Sequence, residues 1–346
     1  MPRLRRVDCS GSGFTRRRFG RGFAYYDEDG DRIDDPDVVE RIESLRIPPA
    51  WADVWICPVP NGHIQAVGTD AAGRKQYRYH DAWRARADQK KFDRMVDFAR
   101  GLPRVRQVAE EHLQLDGFPR ERVLAGAVRL LDRGFFRIGG EEYAESGSYG
   151  LATMRKEHVR LLPDDVILFD YVAKGGKERL QSIVDPHVYE LVKALKRRRG
   201  GPELLAFRNG GWRDVRSSDI NEYIKEITGG DFSAKDFRTW NGTVLAAVAL
   251  AVSGRAARSR TARKRAVTRA AQEVAHYLGN TPAVARASYI DPRVFDRYQA
   301  GVTIGGVIDA FGDAGDYGAP STQGPIEEAV LDLLEEERSP ALEKVA

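Results

Sequence analysis

The chain has 346 residues, 42% hydrophobic and 31% charged, with a net charge of +4; this length predicts about two domains, and the composition excludes wholesale disorder. Its longest purely apolar run, Val244–Val252, is nine residues, against about 20 for a bilayer span, so it predicts a buried helix and no membrane partner. Cys9 and Cys57 are too few for a disulfide framework or a four-ligand zinc site, and no apolar stretch follows the basic start, so a reduced, cytoplasmic protein is expected.

In chain order the pattern is β-rich first and helical afterwards. Phe23–Tyr26, with Asp29-Gly30 and Arg32-Ile33, predicts a hairpin turning on Asp-Gly. Asp34 or Asp35 with Pro36 opens a short helix over Val38–Leu45 that stops before Pro48-Pro49. Val54–Cys57, His63–Val67 and Gln76–Tyr79 read as three further strands. The acidic string Asp27–Asp31 reads as a turn and not a calcium loop, because Gly30 falls at its fourth position instead of the sixth and Val38 occupies the twelfth.

From about residue 82 the apolar period becomes helical. It predicts helices over 88–100, 103–114, 119–136, 185–199, 217–228, 235–252, 258–279, 282–288, 292–299 and 325–337. A β-hairpin interrupts them, with Val166–Ala173 and Glu178–Ile183 flanking a turn at Lys174-Gly175-Gly176-Lys177. Residues 303–324, rich in Gly, Asp, Pro and Ser, read as a linker to an acidic terminal helix. The predicted fold class is α+β. A small β-rich amino-terminal domain (1–85) precedes a larger, mainly α-helical domain carrying the hairpin (86–302), then the linker and terminal helix (303–346).

Charge is unevenly spread: residues 1–22 carry a net +6, residues 251–300 a net +7, and the tail 326–346 a net −5. Clustered positive charge on a folded body suits a polyanion, and solvated helix faces with a basic arm explain it as well. Several machines are excluded. No G-x-x-x-x-G-K-[ST] loop is present, since Lys174–Lys177 lacks both the spacing and the following Ser/Thr. The six histidines, at 63, 80, 112, 158, 187 and 276, never recur at i,i+3 or i,i+4, and no G-x-S-x-G elbow appears. No metal and no cofactor is expected.

Five side chains stand in conspicuous settings. Arg137 lies in Phe135-Phe136-Arg137-Ile138-Gly139, Lys174 on the hairpin tip, and Arg238 in Lys235-Asp236-Phe237-Arg238-Thr239-Trp240 at the mouth of the most apolar helix. Asn280 closes Leu278-Gly279-Asn280-Thr281-Pro282, and Tyr289 follows nine residues later. Singly, each has an ordinary explanation: an Arg that snorkels, a helix C-cap followed by a new helix start, a core tyrosine. Together and in this order they resemble the type IB DNA topoisomerases, in particular the small bacterial, poxvirus-like branch, over roughly residues 20–300. The string Gly73–Tyr79 belongs to the resemblance, and in that family it lies on DNA.

The resemblance implies a clamp around double-stranded DNA, most simply as a monomer, in a cytoplasmic, nucleoid-associated setting. It implies relaxation of supercoils through a transient 3′-phosphotyrosyl link, strand rotation and religation, without ATP or metal. Tyr289 would be the nucleophile and Lys174 the general acid, with Arg137 and Arg238 clamping the nonbridging oxygens. Fixed Arg forks suit a pentacovalent phosphorane because they stay charged and bond two oxygens at once. Asn280 stands where many members carry His; it can donate a hydrogen bond but cannot titrate, so a donor role is expected.

For DNA contact, Lys75 and Gln76 could reach base edges, and Tyr77 and Tyr79 could pack on sugar-phosphate. Lys235 and the basic run with Arg255, Arg258 and Arg263 would meet phosphates. Two alternatives remain. A tyrosine recombinase shares the Arg, Lys, Arg, Tyr set, but usually shows H-x-x-R where this chain has Lys235–Arg238, carries His or Trp where Asn280 stands, and has a helical amino domain. A non-catalytic architectural DNA binder would leave the five-residue constellation unexplained.

Overall fold

The computed structural model describes residues 3–254, 259–308, 322–336 and 339–344. The chain divides into two compact units, Met1–Asp93 and Arg94–Ala346. The division falls within a helix, α2 (Asp81–Leu113), where the sequence reading set the boundary at residue 85.

The first unit is a five-stranded antiparallel sheet in the order β2-β1-β3-β4-β5. Its strands are β1 (Phe14–Phe19), β2 (Gly22–Tyr26), β3 (Ala52–Ile56), β4 (Ile64–Thr69) and β5 (Lys75–Tyr79). Helix α1 (Pro36–Ser44) starts as expected: Asp35 caps it by accepting from the Asp37 amide at 2.9 Å, with Pro36 in the first turn. Ile42 of α1 joins Val54, Ile56 and Ala66 in a small core. The acidic string is a turn, with Asp27 accepting from the Asp29 and Asp31 amides.

One expectation needs correcting here. The main hairpin partner of Phe23–Tyr26 is β1, turning at Gly20 (φ +57°), while the Asp29-Gly30 turn adds only a single bridge, Tyr26 to Arg32. Three consecutive arginines hide β1 from a hydrophobic pattern. Their guanidinium groups lie over aromatic rings of β2 instead, Arg16 on Phe23 at 4.1 Å and Arg17 on Tyr26 at 4.4 Å.

The second unit is built around α3 (Arg120–Arg133), whose residues Val123–Asp132 are buried apart from the half-buried Arg129. It packs against α5 (Pro186–Lys196), α6 (Ser217–Thr228) and α7 (Ala234–Gly254). Between α3 and α5 come a short helix α4 (Glu141–Glu145) and a three-stranded sheet of β6 (Val159–Leu161), β7 (Val166–Ala173) and β8 (Lys177–Val184). Burial alternates along β7, with Ile167, Phe169, Tyr171 and Ala173 facing the core. A further hairpin, β9 (Ala206–Asn209) with β10 (Gly211–Asp214), was not anticipated.

Then follow α8 (Arg260–Leu278), α9 (Pro282–Ser288), α10 (Pro292–Gln299), β11 (Val302–Thr303), α11 (Pro325–Glu335) and β12 (Glu343–Lys344). Nearly all predicted helices are present within a few residues of their expected ends. The exceptions are 88–100 and 103–114, which fuse into α2 across Pro103. Proline removes one amide donor, yet Phe98, Ala99, Leu102 and Val105 bury on the same core and hold the helix through it. Most of the predicted linker, 309–321, lies outside the described residues. The acidic terminal helix is docked on the second unit: buried Glu327 accepts from Trp240 Nε1 at 2.7 Å and from Arg106 at 2.6 Å. No helix among the described residues is long and apolar enough to cross a membrane.

Candidate active site

The C-terminal end of α8 organises the site. Gly279 adopts φ +63°, and the amides of Gly279 and Asn280 turn back onto the His276 and Ala275 carbonyls, ending the helix in a Schellman turn. Thr281 then caps α9 by accepting from the Val284 amide, with Pro282 in its first turn. The Leu-Gly-Asn-Thr-Pro string is therefore both a helix stop and a helix start.

A helix end leaves carbonyls without intrahelical donors, and here basic side chains from three other elements take them. Arg179 of β8 donates to the His276 and Tyr277 carbonyls at 3.0 and 2.6 Å. Arg238 of α7 donates to Leu278 at 2.9 Å. Arg137, in the loop after α3, and Lys177, at the start of β8, each donate to Gly279 at 3.2 Å. The partial negative charge of a helix C-terminus favours these cations.

Local geometry fixes each arginine. The Arg137 carbonyl accepts from the Leu151 amide at 2.8 Å, where the chain crosses itself at Gly139 and Gly150. A Cβ on Gly150 would lie 2.5 Å from the Gly139 backbone, so the crossing needs glycine. Arg238 is buried on the first turns of α7 and also donates to the Phe135 carbonyl. Phe135 itself has φ +41°, a costly conformation for a bulky residue, next to the candidate site.

The remaining expected residues converge on the same place, with one exception. Asn280 Oδ1 accepts from Arg137, while its buried Nδ2 has no hydrogen-bond partner among the described residues. Tyr289 is half-buried, its ring 5.2 Å from the Arg238 guanidinium carbon. One turn further along α7, the helix passes so close that a Cβ on Gly242 would lie 2.8 Å from the Tyr289 carbonyl. Lys174 is the exception. It is exposed on the hairpin tip, with its ammonium 3.4 Å from the Tyr143 hydroxyl and over that ring.

The charge pattern distinguishes this cluster from the rest of the unit. Elsewhere half-buried arginines commonly meet acids, as Arg106 does with Asp132 and Glu327, and Arg129 with Asp185, although Arg122 donates to the Leu113 and Gly117 carbonyls. Among the described residues, none of Arg137, Lys177, Arg179 and Arg238 pairs with a carboxylate; their partners are neutral oxygens. Burial and the nearby Arg137 charge pull Arg238 down to about 10, with Tyr289 opposing, so it stays cationic at neutral pH. Burial pushes the Tyr171 phenol up, while Arg179, Arg238 and Arg137 pull it back. Oriented, uncancelled cations around a half-buried phenol and an unpartnered amide form a receptor for an anion.

Lys177, Arg179 and Tyr171 were missed at the sequence level. Their signal is positional: Arg179 pairs with Tyr171 across the hairpin, and Lys177 directly follows the turn, opposite Ala173. The first-unit candidates lie on β5. Lys75, Tyr77 and Tyr79 are exposed on one face, the two tyrosines stacked at 6.1 Å. Gln76 points to the opposite face and donates to Asp70 at 2.9 Å. In the second unit Lys235 is exposed at the start of α7. Arg263 lines a basic cavity of about 740 Å³ with Arg260, Lys264 and Arg286. Arg255 and Arg258 lie outside the described residues.

Comparison with known proteins gives two family matches. A family model described as the catalytic core of eukaryotic DNA topoisomerase I covers residues 80–303, and one for the N-terminal domain of bacterial DNA topoisomerase IB covers residues 22–70. DNA topoisomerase 1B of Acanthamoeba polyphaga mimivirus is 31% identical over 295 residues, spanning 83% of this chain and 88% of the viral protein. DNA topoisomerase 1 of Candidozyma auris is 28% identical over 159 residues, 45% of this chain but 20% of that longer protein. DNA topoisomerase 1 of Schizosaccharomyces pombe is 30% identical over 125 residues, 36% of this chain and 15% of the yeast protein.

Proposed function

This chain belongs to the type IB DNA topoisomerases, and we propose that it relaxes supercoiled DNA by cutting one strand through Tyr289, letting the duplex rotate, and resealing the cut. The observation that carries the proposal is the set of uncancelled cations and one unpartnered amide around a half-buried tyrosine.

The bound phosphodiester places its nonbridging oxygens among Arg137, Arg238 and Asn280. The unpartnered Asn280 amide donates to one of them, and the guanidinium groups supply charge-assisted bonds that strengthen as the pentacovalent state gains negative charge. Tyr289 Oη attacks phosphorus and loses its proton to water, helped by the adjacent Arg238 charge. The bond from phosphorus to the 5′ oxygen breaks, and Lys174 gives that oxygen its proton. Energy stays stored in the phosphotyrosyl link, so the reverse transfer reseals the strand without ATP. In this scheme Lys174 leaves Tyr143 and reaches inward when DNA is bound, a movement that the open Gly-Gly tip permits. Lys75, Tyr77 and Tyr79 on the first unit, with Lys235 and Arg263 on the second, would hold the duplex by its backbone, making binding salt-sensitive.

The test is relaxation of supercoiled plasmid with EDTA present and ATP absent, for the wild type beside Tyr289→Phe. Relaxation and a covalent DNA adduct in the wild type alone support the proposal. An adduct in Tyr289→Phe removes Tyr289 as nucleophile. DNA binding without relaxation by either protein shifts the weight to a recombinase that needs its own site.

A further inference from the structure

We propose that Arg179 is a positioning residue that ties the β7–β8 hairpin, and so Lys174, to the end of α8. The inference rests on the reading of Lys174 as the acid that protonates the leaving 5′ oxygen.

The hairpin tip is a three-residue loop, Lys174-Gly175-Gly176, closed by the Ala173–Lys177 pair. Gly175 and Gly176 have φ of +83° and +71°, and a Cβ built on either meets nothing within 4 Å. Neighbouring Val172 and Glu178 are exposed, and Leu180 is 68% exposed. Tyr171 and Ala173 still pack inward, so packing stops at the residue before Lys174, whose side chain extends past it to an exposed contact with Tyr143.

On β7 the Val172 carbonyl accepts from the Tyr149 amide at 2.8 Å; on β8, what ties the hairpin to the end of α8 is mainly one side chain. Arg179 donates to the His276 and Tyr277 carbonyls and to Gln181 Oε1 at 3.2 Å, and Tyr171 is its register partner across the hairpin. Its side chain lies over Gly279, whose absent Cβ would sit 3.6 to 3.9 Å from it. Lys177 adds a single exposed bond to the same turn. Arg179 thereby links the strand leading from Lys174 to the turn leading to Asn280. Both terminal nitrogens of Arg179 are already bound to protein oxygens, which suits a brace better than a phosphate ligand.

Single-turnover cleavage on two DNA substrates tests this. One carries the ordinary phosphodiester, and the other has sulfur at the leaving 5′ position, which departs without a proton. General acid catalysis is worth about 10²–10⁴-fold, so Arg179→Ala is expected to cleave the oxygen substrate about 10- to 100-fold more slowly. It should cleave the sulfur substrate at nearly the wild-type rate, with Arg179→Lys intermediate on oxygen. The double variant Arg179→Ala/Lys174→Ala should be no slower than Lys174→Ala. Amide hydrogen exchange over 171–179 should quicken in Arg179→Ala and not in Lys174→Ala.

Rescue by sulfur in both single variants, with faster exchange in Arg179→Ala, is the supporting result. If sulfur rescues Lys174→Ala but not Arg179→Ala, Arg179 acts on the phosphate or on the fold, and the positioning role is overturned. Unchanged exchange in Arg179→Ala overturns it as well. Failure of sulfur to rescue Lys174→Ala removes the acid assignment itself, and the positioning role with it.

Discussion

Asn280 offers the sharpest probe of the site, because its two ends face different partners. Oδ1 accepts from Arg137, and buried Nδ2 has no partner among the described residues. Replacing it with alanine deletes one donor to a charged oxygen, worth about 1.5–3 kcal/mol, or roughly 10- to 150-fold in cleavage rate. Replacing it with aspartate deletes the donor and also sets a carboxylate beside Arg137. At about 4 Å from a phosphate oxygen and an effective dielectric near 20, that adds about 4 kcal/mol of repulsion. Asn280→Asp should therefore slow cleavage by about 10³-fold or more, despite its nearly unchanged shape. Asn280→His keeps a donor and should stay within about 10-fold of the wild type. The assay is quench-flow formation of the covalent adduct on a substrate whose cleaved 5′ fragment diffuses away, with DNA affinity measured separately. Equal rates for Asn280→Asp and Asn280→Ala, or a rate for Asn280→Asp within tenfold of the wild type, would refute the donor role.

Three further outcomes are expected. Glu327→Ala leaves Arg106 and Trp240 Nε1 short of their buried partner; breaking such a pair costs about 3–5 kcal/mol, so the urea midpoint should fall sharply with an unchanged slope. His158 accepts from the Arg155 amide through Nδ1, and burial lowers its pKa below the ordinary value. The unfolded chain thus binds the proton first, so this contribution is full above the unfolded pKa and lost as pH falls toward the folded one. His158→Gln, which keeps an acceptor, should flatten the loss of urea stability between pH 7.5 and 5. Gly242→Val pushes two methyl groups and a Cβ against the Tyr289 carbonyl, already 2.8 Å from the Cβ position. Overpacking of this kind costs about 1–3 kcal/mol, and cleavage should suffer more than DNA binding measured by filter retention.

Periodicity made most of the helices legible, because α5, α6 and α10 each bury one stripe. It failed where another interaction replaced apolar burial. Strand β1 is held by arginines on aromatic rings, and α2 crosses Pro103 on the strength of its buried face. Of the five motif residues singled out by order and spacing, Arg137, Arg238, Asn280 and Tyr289 lie together, while Lys174 stands apart on the hairpin tip. Arg179 and Lys177 were not legible, since nothing in a sequence shows that a hairpin strand will reach the end of a helix about a hundred residues on. Strand alternation sets Gln76 on the face opposite Lys75 and Tyr77, where it donates to Asp70.

The helix end that gathers Arg137, Lys177, Arg179 and Arg238 also bears on when their freedom is lost. A long basic side chain gives up about 1.5–2 kcal/mol of rotamer entropy when fixed. Carboxylates could hold these groups still only by neutralising them, and would then compete with the incoming phosphodiester. Main-chain carbonyls orient them while leaving their charge intact. The ordering of the buried and half-buried members is therefore completed as the chain folds, and the encounter with DNA begins with a receptor whose conformational entropy has already been surrendered.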